Sequence, residues 1–129
     1  MKKAPGPFRK FVEAYPECGM TYEALAAASR EAAGFAEKDA ELVKLALAVG
    51  SRLEGAVHSH ARRALEAGAT AAEVRGVALL GLTTLGFPHT MMGTSWIEDV
   101  LREAGKGKAK EAKKAKKGGK KLPKAKKGK

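Results

Sequence analysis

The amino-acid sequence predicts an all-α fold, a bundle of about five to six helices followed by a disordered basic tail. Apolar residues recur at spacings of three and four along most of the first hundred positions, which is the pattern of one helix face. No segment shows the sustained two-residue alternation or the Asn-Gly dipeptide that is typical of strands and hairpins. Glycine and proline stand where helices are expected to end and begin.

The N-terminal part predicts a leader and two helices. Residues 1–6 indicate a flexible leader, and Pro7 suits the first position of a helix that Pro16 ends. A second, alanine-rich helix is predicted over 21–33 and closed by Gly34. Its small residues allow another helix to approach closely.

The segment 41–85 holds nearly all the apolar periodicity, so we expect it to form the core. A helix that opens at Glu41 is apolar nearly all round, which predicts neighbours on several sides. After a short bend a second core helix follows and is closed by Gly68. Thr70 and Glu73 have the spacing of a capping box and start a third core helix.

The last predicted helix begins after a break. Gly86 closes the third core helix, and Pro88 suits the start of the next one, whose inner side includes Trp96 and Ile97. We therefore place one helical domain at residues 7–105. A core of this size buries only a modest fraction of its surface, so we expect the domain to rely on partner subunits.

The basic charge belongs to the tail. The chain of 129 residues has a formal net charge of +11, and residues 106–129 hold 13 lysines and one glutamate, which leaves −1 for residues 1–105. Dense like charges, Gly118-Gly119 and Pro123 predict disorder over 106–129. A solubilising extension and an arm for nucleic acid both remain open. Without aromatic residues for base stacking, such binding would ignore sequence and weaken with salt.

Cysteine usage and apolar runs limit the class of protein. The single cysteine, Cys18, excludes an internal disulfide and a CxxC pair, and it fits the reducing cytoplasm in which we expect the protein. Lys2 and Lys3 resemble the start of a signal peptide, but Pro5 stands where an apolar region would follow. No apolar run reaches membrane-spanning length, so we expect no membrane partner.

Two motifs carry a resemblance to a known family. The segment HARRALEAGATAAEVR at 60–75, followed by GFP at 86–88, resembles the carboxymuconolactone decarboxylase family, which includes the AhpD-type alkylhydroperoxidases. The likeness extends from roughly Phe8 to Leu101. The resemblance implies an all-helical bundle that assembles into a homotrimer or homohexamer.

The resemblance also implies an active site. The family's glutamate falls on Glu41 and its histidine on His60, whereas the AhpD cysteine positions fall on Leu53 and Ala56, and the histidine between those cysteines falls on Gly55. The missing thiol pair disfavours peroxiredoxin-type peroxide reduction, which needs an attacking thiolate and a resolving thiol. The chain looks closer to the decarboxylase branch, which also lacks the pair.

Decarboxylation of a lactone acid needs a cationic or hydrogen-bonding group that binds the carboxylate, and a general acid that protonates carbon. We predict His60 as general acid/base and Glu41 as the carboxylate that orients it. The alternative, a buried structural pair without chemistry, stays open. Further substrate-binding candidates are His58, Glu54 and His89.

The sequence predicts no metal site and no cofactor. His58 and His60 project about 200° apart on a helix, so they do not share one ion. His89 lies in the first turn of its predicted helix, where a carboxylate would bind well, although a surface position fits the sequence equally. Arg62 and Arg63 are candidates for reaching a substrate carboxylate from a neighbouring subunit.

Hypotheses from different classes follow. The first is a decarboxylase-like lyase acting on a small carboxylated lactone or related acid. The second is a non-catalytic oligomeric scaffold whose lysine tails bind nucleic acid together. A third, peroxide reduction through Cys18 alone, requires an accessible sulfur with a depressed pKa.

Overall fold

The computed structural model describes residues 6–119, and that part of the chain is all-α, as predicted. Six of its helices have nine residues or more, and one is a single turn. The helices are α1 (Gly6–Ala14), α2 (Pro16–Ala33), α3 (Glu37–Gly50), α4 (Glu54–Glu66), α5 (Ala71–Leu79), α6 (Leu82–Leu85) and α7 (Phe87–Gly118). None of the helices within residues 6–119 combines the length and apolarity needed to cross a bilayer.

The core lies between α3, α4, α5 and α7. α3 and α4 pack along each other, and α7 crosses both α4 and α5. The largest fully buried side chains are Leu45, Val49, Val57, Val74 and Ile97. Between them the core is lined by alanines, which allow the helix axes to come close.

Glycine allows the closest helix contact in this core. Gly93 of α7 faces Val49 of α3, and a Cβ at residue 93 would stand 2.7 Å from a methyl group of that valine. Such a distance is shorter than real Cβ contacts allow. The approach of α7 to α3 therefore depends on the missing side chain.

The predicted helix ends are confirmed at three positions. Gly34 follows α2 with φ of 71°, and Gly68 follows α4 with φ of 97°. The left-handed backbone at Gly68 lets the amide of Ala69 donate back to the carbonyl of Ala64. Thr70 and Glu73 form the predicted capping box at the start of α5.

Two helix bounds differ from the prediction. α2 begins at Pro16 rather than near Thr21, because proline suits the first turn of a helix as well as the end of the preceding one. The third core helix is interrupted at Leu80 and Gly81, where a Cβ on Gly81 would stand 3.2 Å from Oγ1 of Thr90 on α7.

The C-terminal region also differs from the prediction. We predicted disorder from residue 106, yet α7 continues to Gly118, so the predicted domain boundary falls inside a helix. Alanine and lysine are strong helix formers. The first half of α7 is already helical and packed in the core, so the helix extends into these residues without a new nucleation step. The remaining predicted tail, 120–129, and most of the predicted leader, 1–5, lie outside the described residues.

The N-terminal hairpin of α1 and α2 is peripheral. The two helices pack mainly on each other, with Gly19 of α2 against the side chain of Val12 on α1. Much of α2 is exposed, including Tyr22 and Leu25. Arg30, near the end of α2, connects this hairpin to α3 through its contact with Glu41.

Candidate active site

His60 and Glu41 meet at the crossing of α3 and α4. Nδ1 of His60 lies 2.7 Å from Oε2 of Glu41, and Glu41 is only 2% exposed. The turn between the two helices contains Arg52, whose φ of 56° is in the left-handed region. This turn folds α4 back along α3, so two side chains that are far apart in sequence share one buried contact.

The second oxygen of Glu41 accepts a hydrogen bond from Nη2 of Arg30 on α2. Glu41 therefore links three helices through a single buried carboxylate. Sequence reasoning missed Arg30, because it lies in an alanine-rich helix with no pattern that points to a partner. The only local signal was a basic residue in the last turn of α2, where it favours the helix dipole in any case.

The surroundings of Glu41 act on its pKa in opposite directions. Burial raises the pKa, but the hydrogen bonds from His60 and Arg30, together with the positive charge of these groups, outweigh burial and hold the pKa of Glu41 below its ordinary value. Glu41 is thus a carboxylate that accepts two hydrogen bonds. His60 must donate from Nδ1, which leaves Nε2 to act as base in the neutral ring or as acid in the charged ring.

A cavity of about 430 Å³ lies beside His60. Its walls come from α1, α2, α3 and α4, so the peripheral hairpin closes one side of it. The lining residues are Pro7, Phe8, Tyr22, Ala26, Arg30, Lys44, Gly55, Ala56, Ser59, His60 and Arg63. The wall thus combines three cationic side chains, one imidazole and an apolar side, which suits a small anion with an apolar body.

Two of the cations, Arg30 and Arg63, also line a second cavity. This cavity has a volume of about 500 Å³ and includes Glu41, Arg63 and the acidic residues Glu31 and Glu37. His60 is not part of its lining. Because His60 lines the cavity of about 430 Å³ and not this one, the cavity of about 430 Å³ is the candidate active site.

The structure places the three other predicted site residues elsewhere. His58 points toward α7, with Nε2 3.8 Å from Oδ2 of Asp99. Nε2 of His89 donates to the carbonyl of Val49 at 2.6 Å, so this side chain holds the end of α3. Glu54 is exposed at the start of α4.

None of these three residues lines the cavity beside His60, so the structure does not bring these substrate-binding candidates together with it. His58 leaves α4 about 200° from His60, which carries it to the other side of the helix. His89 meets the carbonyl end of a neighbouring helix, where a donor is favoured, instead of an anion at its own helix start.

Other chemical groups lie away from this cavity. Cys18 is exposed on α2 and is not among the lining residues. Of the family's cysteine positions, Ala56 lines the cavity and Leu53 does not. Within residues 6–119, no three His, Cys, Asp or Glu side chains are grouped so as to hold a metal ion.

A known family model matches most of the described chain. Residues 16–99 match the model of the carboxymuconolactone decarboxylase family, and this range contains Arg30, Glu41 and His60. Comparison with curated proteins and with solved structures finds no significant match. The match covers well over half of the chain, and the all-helical architecture agrees with it. The chain belongs to the carboxymuconolactone decarboxylase family.

Proposed function

We propose that this protein is a decarboxylase-like enzyme that acts on a small carboxylated lactone or a related acid. The proposal depends on the position of His60. Its Nδ1 donates a hydrogen bond to the buried carboxylate of Glu41, and its ring borders a cavity with three cationic side chains. Within residues 6–119, the side-chain hydrogen bond of His60 is made by Nδ1, which leaves Nε2 as the ring nitrogen for a ligand.

The cations favour an acidic ligand. Arg30, Lys44 and Arg63 attract a carboxylate into a cavity that is partly shielded from water, where electrostatic interactions are stronger than in bulk solvent. Arg30 is already engaged by Glu41, which leaves Lys44 and Arg63 as the cations that meet the substrate. Phe8 and Tyr22 provide the apolar wall for a ring.

The proposed chemical step is a proton transfer from His60. The bond between the ring carbon and the leaving carboxylate breaks, carbon dioxide leaves, and the electron pair moves toward the lactone carbonyl. Lys44 and Arg63 stabilise the negative charge that develops on that oxygen. Nε2 of protonated His60 then gives its proton to carbon, and solvent returns a proton to Nε2.

A purely structural role for the pair explains less of the arrangement. A pair that only fastens α3 to α4 needs the contact between His60 and Glu41, but it needs neither a cavity on the other side of the imidazole nor cations around that cavity. The proposal accounts for all three features together.

The test is carbon dioxide release from a panel of small lactone carboxylic acids. We expect turnover by the wild type and a loss of at least about a hundredfold in His60→Gln, because the proton donor is removed. His58→Gln is the matched control, since the same substitution lies on the other side of α4. Turnover that survives in His60→Gln would remove the proposed role of this residue, and no turnover of any acid in the panel would remove the proposed reaction.

The proposed active form is a homo-oligomer, a trimer or a hexamer. Several large apolar side chains are exposed in the single chain, among them Tyr22, Leu25, Leu47 and Leu80. Burying such side chains against a second copy is favoured by roughly 25 cal/mol for each Å² of apolar surface. The hairpin that closes the cavity belongs to this exposed surface, so assembly would also steady the wall of the site.

A further inference from the structure

The second half of α7 forms a basic extension, residues 105–118, that leaves the globular core. Every residue of the extension is exposed, and it contains seven lysines and one glutamate. The first half of the same helix is held in the core by Gly93, Ile97 and Val100. Since the helix is continuous, the core fixes both the direction of the extension and the rotation of its side chains.

Four lysines of the extension share one side of the helix. Lys106, Lys110, Lys113 and Lys117 follow at intervals of three and four residues, which places them within about 60° of one another. We call them the lysine stripe, and it runs for about 16 Å along the helix. Ile97, which faces the core, is on the opposite side of the helix from Lys106, so the stripe points away from the body.

The composition of the extension argues against a membrane surface and a single strand. The side opposite the stripe carries small residues, including Ala112 and Ala115, together with Lys108, and no large apolar residue. A helix that lies on a bilayer buries large apolar side chains, and this one has none. Proteins that bind single strands stack bases on aromatic side chains, which the extension also lacks.

The same features fit double-stranded DNA. We propose that the lysine stripe of the basic extension binds the sugar–phosphate backbone of a DNA duplex, without reading its sequence. Lysine is a point charge suited to phosphate, and the major groove of B-DNA is wide enough to admit a helix. The major groove of duplex RNA is deep and narrow, so a helix does not enter it as it can enter that of B-DNA.

The turns of α7 just before the extension limit the length of the DNA-binding surface. Asp99 and Glu103 occupy the same side of the helix in the turns just before Lys106, and their charge would repel phosphate. The DNA contact therefore begins at Lys106. No residue of the extension lines the cavity beside His60, so the inference is independent of the proposed enzymatic function.

The test compares two triple variants of the full chain that change the charge equally. Lys106, Lys110 and Lys113 are replaced by glutamine in the stripe variant, and Lys108, Lys114 and Lys116 in the control variant. Both keep residues 120–129. Binding to a short random-sequence DNA duplex is followed by fluorescence anisotropy over a range of salt, with circular dichroism to check that both variants stay helical.

We expect the wild type to bind at low salt, and the stripe variant to bind at least about tenfold more weakly, with a salt slope reduced by about two to three. The control variant should lose much less. Equal losses in the two variants, or no binding by the wild type, would overturn the proposal. Tighter binding of the wild type to a matched RNA duplex, to single-stranded DNA or to anionic phospholipid vesicles would overturn it as well.

Discussion

Glu41 is the residue that connects the fold to the candidate chemistry. A buried carboxylate is costly unless its charge is paired and its oxygens accept hydrogen bonds, and here each oxygen has one donor. The pairing fixes the tautomer of His60 and ties Arg30 of the peripheral hairpin to the core. Loss of either donor would leave a buried acceptor without a partner.

The pairing of Glu41 predicts a pH dependence of stability. Because the pKa of Glu41 is lowered in the folded chain, its contribution is fully present above the unfolded-state pKa, near 4.5, and is lost as the pH falls through the folded-state pKa. Glu41→Gln should therefore lower the free energy of unfolding by about 1–3 kcal/mol at neutral pH and reduce the further loss below pH 4.5.

The measurement for Glu41 is urea unfolding from neutral to acidic pH. Glu103→Gln, on the exposed side of α7, is the control and should follow the wild type throughout. An unchanged acid dependence in Glu41→Gln would show that the carboxylate is not stabilised by its partners.

At the scale of helices, the geometry of the core rests on close packing through small residues. α3 and α7 meet where Gly93 faces Val49, and α5 gives way to α6 where Gly81 approaches Thr90. α4 contributes Ala61 and Ala64 to the same core. Small residues at these contacts keep the helix axes close.

Gly93→Ala tests this packing. The added methyl would stand 2.7 Å from Val49, so α7 or the valine must shift, and we expect a loss of about 1–3 kcal/mol in the free energy of unfolding. Gly105→Ala is the matched control in the same helix, because a methyl group added there would have no neighbour within 4 Å. It should stabilise the helix by about 0.5–1 kcal/mol. A Gly93→Ala protein as stable as the wild type in urea would contradict the packing argument.

At the scale of the whole molecule, the single chain leaves much apolar surface uncovered. Leu25 on α2 is 66% exposed, and Leu80 between α5 and α6 is 79% exposed. α3 was expected to have neighbours on several sides, yet Leu47 on its outer side is exposed as well. In the proposed homo-oligomer, a second copy of the chain covers these exposed apolar side chains.

We expect light scattering after size-exclusion chromatography to give a mass several times that of one chain. Leu25→Asp should shift this mass toward the monomer, because a buried unpaired charge at an interface is costly. Ala109→Asp adds the same charge on the basic extension and should leave the mass unchanged. A wild-type protein that is monomeric at micromolar concentration would refute the proposed assembly.

Local patterns in the sequence determined the helical class and most helix ends. The three- and four-residue spacing reports the helix period, and the capping box at Thr70 and the glycines after α2 and α4 act within a few residues. The resemblance to the family also singled out Glu41 and His60 as partners, and the structure brings them together.

Only the tertiary structure decided which other side chains share the site. Arg30 and Lys44 line it and His89 does not, because crossing angles and the turn at Arg52 set which helix faces meet. The helix period alone already separates His58 from His60. The extension of α7 was likewise decided by context: charge repulsion in residues 106–118 favours disorder locally, but a helix already nucleated and packed in the core carries them on. Local spacing contains the period of a helix, whereas contacts between helices depend on their relative rotation, which no local spacing specifies.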